Sequence, residues 1–301
     1  MPLSITTTMP TQLPLELLTA ICDMVATDVV DSSIGKPDTT TLRHCALVAP
    51  RLTLHCQKHL FSHIQIRFDN PHVISNLQQV LDDHPKLGSY TKILSVIFHS
   101  SSDMSHRGLA SILRRFTQVS NLTVGGSWSL FYNIDWDLRI PPNVRLAMES
   151  IIHSSTCKIL DFNGLRMPLS IFYASSRNTS LESLSFSKRT IARLELVVPP
   201  VNLPEPGPSY SSLRYLSILP SLIPPFLSPR FQDGRYLFDL TNLRTLCVDH
   251  ANSQAHPNMT VQILDRVPSL QSFSLKLGCE YRAYLSPLNF GLFFYQPTTR
   301  L

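Results

Sequence analysis

"CKILDF", residues 157–162, reads apolar-x-x-apolar-x-apolar, and the same signature recurs along the chain. It appears in "VSNLTV" (119–124), "LESLSF" (181–186), "LRYLSI" (213–218), "LRTLCV" (243–248) and "LQSFSL" (270–275), with "TKILSV" (91–96) as a fainter first copy. The central apolar positions are Leu94, Leu122, Leu160, Leu184, Leu216, Leu246 and Phe273, between 24 and 38 residues apart. Each copy is a short strand with two inward apolar residues, too few to bury alone. Stacking the copies lets them share one continuous core, which predicts a parallel sheet built strand by strand.

The segments between the copies carry helical spacing. In "RGLASILRRF" (107–116), Leu109, Ile112, Leu113 and Phe116 share one face, and in "NVRLAMESIIHSS" (143–155), Val144, Met148, Ile151 and Ile152 do the same. "MTVQILDRV" (259–267) is a third such segment. Strands alternating with helices predict an α/β fold class. The copies resemble irregular leucine-rich repeats. Repeats of that kind run about 20 to 29 residues, so several here are long, and the asparagine ladder of regular repeats is absent. The resemblance implies a solenoid over residues 69–301 that binds a protein target on its concave face.

Two proline-rich stretches, "VVPPVNLPEPGPS" (197–209) and "LPSLIPPFLSP" (219–229), interrupt the array and read as surface loops. The second is apolar enough to pack on the array or meet a partner. The end, "EYRAYLSPLNFGLFFYQPTTRL", is aromatic-rich. A solenoid needs a terminal cap, so Phe290 to Tyr295 are expected to fold back as one, or the chain is altered there relative to its relatives.

No G-x-S-x-G elbow, G-x-x-x-x-G-K-[ST] loop or G-x-G-x-x-G turn occurs. "GGSWS" (125–129) follows a strand and reads as a turn. "DWD" (135–137) offers two aspartates, for which capping or solvation is simpler than cation binding. Asp82 and Asp83 read as a helix end. The chain is therefore expected to be no enzyme, with no catalytic residue, no cofactor and no metal ligand assigned.

The amino-terminal part has a different pattern. Residues 1–12 are Thr-rich and read as a disordered tail. In "LPLELLTAICDMV" (13–25), Pro14 suits a helix start, where its missing N–H is no loss. Leu17, Leu18, Ile21, Cys22 and Val25 recur at helical spacing. "DSSIGKPD" (31–38) breaks this helix at Gly35 and Pro37, and Thr40 or Thr41 can cap the next one. There Leu42, Cys45, Ala46 and Ala49 share a face from which His44 points away, and Pro50 ends or kinks the helix. A third helix, over about 51–62, buries Leu52, Cys56 and Leu60. His55, His59 and His63 run along its edge at i, i+4 and i+8. Two such histidines can share a metal. Zinc takes four ligands, however, and no acidic residue lies between Asp38 and Asp69, so the stripe reads as a helix edge. "HIQIRF" (63–68) then alternates as a strand.

Taken in order, these pieces resemble the F-box of fungal proteins, especially those of mushroom-type fungi. Leu13, Pro14 and Glu16 match its Leu-Pro-x-Glu start; Leu42, Cys45, Leu47 and Val48 match its Leu-x-x-Cys-x-Leu-Val run; Leu60, Phe61, Ile64 and Ile66 match its Leu-Phe-x-x-Ile-x-Ile close. The resemblance covers 13–66 and places an F-box domain at 13–68 ahead of a repeat region at 69–301. It implies a substrate-recognition subunit of an SCF-type cullin–RING ubiquitin ligase. Such a subunit docks a Skp-type adaptor, and through it a cullin scaffold, while its repeats hold a target protein. The adaptor contacts implied are Leu13, Pro14, Leu17, Leu18 and Ile21, with Leu42, Val48 and Leu52 as further contacts or support. The competing expectation is a repeat scaffold that recruits no ligase.

The chain has 301 residues, 43% of them apolar and only 16% charged, with a net charge of +5. Lys and Arg are scattered and the densest spot is Arg114–Arg115, so no nucleic-acid stripe is expected. No apolar run approaches the ~18 residues of a membrane span. The first residues lack the basic region of a signal peptide. Six cysteines without a C-x-x-C spacing suit reduced thiols in the cytoplasm or nucleus. The sequons at Asn121, Asn178 and Asn258 then read as chance matches.

Overall fold

A computed structural model describes residues 14–27, 39–48, 50–68, 71–98, 108–126, 134–187, 191–192, 212–219, 222–227, 236–249 and 257–276. Residues 1–13, the 197–209 stretch and the aromatic end after 276 lie outside these. The chain divides into two compact units, Met1–His63 and Ile64–Leu301. Sequence reading places the boundary after Phe68. The cut falls earlier because the strand after His63 hydrogen-bonds into the sheet of the second unit.

The first unit contains three α-helices among its described residues: α1 (Leu15–Thr27), α2 (Thr39–Val48) and α3 (Thr53–Leu60). The Pro14 carbonyl accepts the first bonds of α1 from the N–H groups of Leu17 and Leu18, 3.1 and 3.2 Å away. Pro50 opens a 3₁₀ turn, Pro50–Leu52, between α2 and α3. The Thr53 hydroxyl donates back across that break to the Ala46 carbonyl, at 3.0 Å. Cys22, Leu42, Leu52 and Cys56 form the buried centre, with Leu18, Val25, Ala26, Cys45, Ala46 and Leu60 packed around it. His44 is exposed, as helical phase requires.

The second unit is a mixed α/β structure around an eight-stranded sheet. Its strands are β1 (His63–Arg67), β2 (Ile93–Phe98), β3 (Asn121–Gly126), β5 (Ile159–Asn163), β7 (Ser183–Ser187), β9 (Tyr215–Ile218), β10 (Thr245–Asp249) and β11 (Ser272–Lys276), in that spatial order. From β2 to β11 every neighbouring pair is parallel. A smaller parallel sheet holds β4 (Ile134–Asp135), β6 (Leu165–Met167) and β8 (Ile191–Ala192). Gly164, at φ 65°, makes the left-handed step that separates β5 from β6.

The register is set by the repeated signature. Leu94 pairs with Leu122, Leu122 with Leu160, Leu160 with Leu184, Leu184 with Leu216, Leu216 with Leu246 and Leu246 with Phe273. The first signature positions Val119, Cys157, Leu181, Leu213 and Leu243 are buried beside them. One backbone bond recurs at each strand start: Ile159 N–H to Ser120, Ser183 to Lys158, Tyr215 to Glu182, Thr245 to Arg214 and Ser272 to Arg244. Burial alternates along β2, β5 and β9, so in these strands one face is covered and the other more exposed.

Helices fill the connections: α4 (Pro71–Asp83), α5 (Leu109–Arg114), α6 (Trp136–Arg139), α7 (Pro142–Ile152), α8 (Leu169–Ser176), α9 (Ile223–Leu227) and α10 (Pro257–Leu264). They pack in sequence order, α4 on α5, α5 on α7, α7 on α8, and α9 on α10. Leu109, Ile112, Leu113 and Phe116 are buried, as are Val144, Met148, Ile151 and Ile152. Ion pairs Asp82–Arg115 and Asp137–Arg145 brace the outer layer. For the described residues of the 219–229 stretch, packing on the array replaces the surface-loop reading. Leu219 and Leu222, ahead of α9, and Ile223 and Phe226 on it are all buried, so these residues fill the core.

Candidate functional site

Helix α1 is apolar over too wide an arc to be buried on every side. Leu18, Cys22 and Val25 face the centre of the unit. On the adjoining face, Pro14, Leu17, Ile21 and Met24 lie at spacings of three and four, within about 80° of arc at 100° per residue. All four are exposed, Leu17 at 53%, Ile21 at 46% and Met24 at 66%. Leu47 on α2 and Leu54 on α3 are exposed as well. Exposed apolar rows of this kind are the surfaces that partner contacts use.

The residues expected to meet an adaptor separate accordingly. Pro14, Leu17 and Ile21 are outward and available. Leu18 is half-buried against the core. Leu42 and Leu52 are core residues, at 0% and 5% exposure, so they hold the helices and cannot offer a contact. Leu13 and the Val48 side chain lie outside what is described. Sequence reading passed over Met24, which extends the outward row one turn at i+3 from Ile21 and i+7 from Leu17.

The second feature of this unit is polar. His55 and His59 lie one turn apart on α3, which brings both rings to one face. Each Nε2 lies 2.7 Å from Oδ1 of Asp23 on α1, and the two Nε2 atoms are 3.4 Å apart. The rings meet edge to face, with centroids 5.0 Å apart. Hydrogen bonds from His55 and His59 hold the Asp23 carboxyl below its usual range. His63, on β1, is not a member of this group. A carboxylate sought between Asp38 and Asp69 is supplied instead from α1, by a contact spanning 32 residues to His55.

Beneath the cluster, Cys22 and Cys56 touch with sulfurs 3.6 Å apart, both fully buried. Burial first, then the neighbouring Cys56, pushes the Cys22 thiol up to about 12. Cys22 is therefore a neutral packing group, far from the thiolate state that redox or nucleophilic chemistry needs. The other sequence features prove structural. Asp135 caps α6, its Oδ1 accepting from the N–H groups of Asp137 and Leu138 at 3.0 and 3.1 Å. Trp136 between the two aspartates is buried. No helix among the described residues is long and apolar enough to cross a membrane.

No protein-family model and no curated protein matches this chain.

Proposed function

We propose that this chain is the substrate-recognition subunit of an SCF-type cullin–RING ubiquitin ligase. The outward apolar row of α1, Pro14, Leu17, Ile21 and Met24, carries the reading. A monomer gains nothing from exposing these side chains on a helix whose neighbouring face already fills its core. In the F-box reading the row meets a Skp-type adaptor, which joins the chain to a cullin. Leu42 and Leu52 support the helices from within.

The second unit is then an irregular leucine-rich-repeat solenoid. Parallel sheets are ordinarily covered on both faces and read as continuous apolar runs. Here β2, β5 and β9 alternate, and their less buried face lies along an in-register stack, which suits a solenoid presenting a binding surface. That face carries Ile159 and Tyr215, both exposed, beside the ion pair of Lys158 and Glu182 at 3.0 Å. A target protein would meet this mixed apolar and charged surface. The chain itself performs no bond chemistry; it brings target and ligase together, in the cytoplasm or nucleus.

The second reading is a repeat scaffold without a ligase. Co-expression of the full chain with a Skp-type adaptor and its cullin separates the two. The ligase reading expects a ternary complex that survives gel filtration. The scaffold reading expects the chain to elute alone, and that result removes the ligase assignment.

A further inference from the structure

We propose that Asp23, His55 and His59 form a binding site for one zinc ion that clips α1 to α3. The donors are two imidazole nitrogens and a carboxylate oxygen, and all lie within 4.8 Å of one another. With Zn–N distances of about 2.0–2.1 Å, two ligands of a tetrahedral ion stand roughly 3.3–3.4 Å apart. The 3.4 Å between the two Nε2 atoms matches that edge. The 2.7 Å contacts to Asp23 are hydrogen-bond distances. An ion therefore requires the carboxylate to withdraw by about 0.6 Å to reach the same edge length. The Asp23 side chain is 56% exposed and has room for that movement.

The fold sets up this convergence independently of the polar groups. Cys22 and Cys56 pack against each other in the core and fix the register of α1 on α3. Asp23 and His55 are their sequence neighbours, so the register that buries the thiols also lifts the carboxylate opposite the imidazoles. Two imidazoles favour a borderline transition ion over magnesium or calcium, which take oxygen ligands. Each histidine side chain is 26% exposed, so the site is open to ion entry and to a water in the fourth position. Zinc takes the lone pair of each Nε2, so in the bound state each imidazole carries its proton on Nδ1. The inference stands apart from adaptor docking, which uses the other side of α1.

The chain holds 11 histidines, so loose surface binding is the competing explanation. The dialysed full chain is titrated with zinc chloride by calorimetry, and with cobalt(II) by visible absorption. One ion per chain and tetrahedral cobalt bands are expected. His59→Ala and Asp23→Asn are expected to weaken binding by at least about 100-fold, since even the outer partners of a ligand can matter that much. His44→Ala, at an exposed histidine outside the group, is expected to leave binding unchanged. If a variant misfolds, the wild-type chain decides: zinc is expected to move the Nε2 resonances of His55 and His59 and to raise Tm. No stoichiometric binding by the wild type overturns the site, as does unchanged binding by a folded His55→Ala/His59→Ala chain, or static Nε2 resonances.

Discussion

Asn178 holds three backbone groups at once. Its Nδ2 donates to the carbonyls of Ile152 and Cys157 at 2.8 and 2.7 Å, and its Oδ1 accepts from the Ser180 N–H at 2.9 Å. The side chain is buried, so Asn178→Ala strands groups that water cannot reach. Each costs roughly 1–3 kcal/mol. Denaturant unfolding of the variant is expected to show a loss of that order, and a change below about 0.5 kcal/mol, as at a surface position, contradicts the assignment. Asn178→Asp is expected to be worse, because a carboxylate oxygen then faces two carbonyl oxygens. Neighbouring Cys157 tests burial by pH. Its thiol is pushed from 9.0 up to about 12 by desolvation. A raised pKa means that the folded chain holds the proton more tightly. The stability this contributes is full below about pH 9 and is lost as pH rises toward about 12. Alkylation at pH 8, mapped by mass spectrometry, is expected to spare Cys157 until denaturant is added. Labelling as fast as in the unfolded chain contradicts it. Sequence alone shows Asn178 as one sequon among three. Its role depends on a bond to Ile152, 26 residues away, which no local pattern encodes.

Among the elements, α9 most changes the reading of the chain. Proline density marks 219–229 as a loop, yet Phe226 stacks on Phe238 at 4.8 Å and meets Phe186 edge-on at 6.2 Å. Phe226→Ala is therefore expected to destabilise by about 3–5 kcal/mol, as for a core aromatic. Thermal or denaturant unfolding measures it, and a near-neutral result restores the surface-loop reading. Of helix α4 only the end, at Asp82 and Asp83, was read, although its body was legible: Ile74 and Leu81 are buried and Leu77 lies between them at helical spacing. The small sheet of β4, β6 and β8 was not legible, because strands of two or three residues carry no periodicity. Helix α1 shows a further limit. Spacing identifies an apolar helix, but Leu17 and Leu18 look alike in sequence and point to opposite environments. Only packing against α2 and α3 tells them apart.

At the scale of the whole chain, the alternation of strand and helix was legible because every copy must solve the same burial problem. One signature, repeated seven times, fixes which residue pairs with which across the sheet, from Leu94 to Phe273. The Asp23–His55–His59 group was hidden for the opposite reason. Its carboxylate belongs to α1, and the packing of α1 against α3 places it. The outward row of α1 is where sequence pattern and packing bear jointly on function. The direct test is the affinity of the purified full chain for a Skp-type adaptor, compared with that of Leu17→Asp/Ile21→Asp. Those side chains are exposed, so the double variant is expected to keep the wild-type Tm within a few degrees. The account predicts tight wild-type binding that the double variant loses by about 100-fold or more, in line with truncating two central hot-spot contacts. Equal affinity of the two chains, or no binding by the wild type, contradicts it.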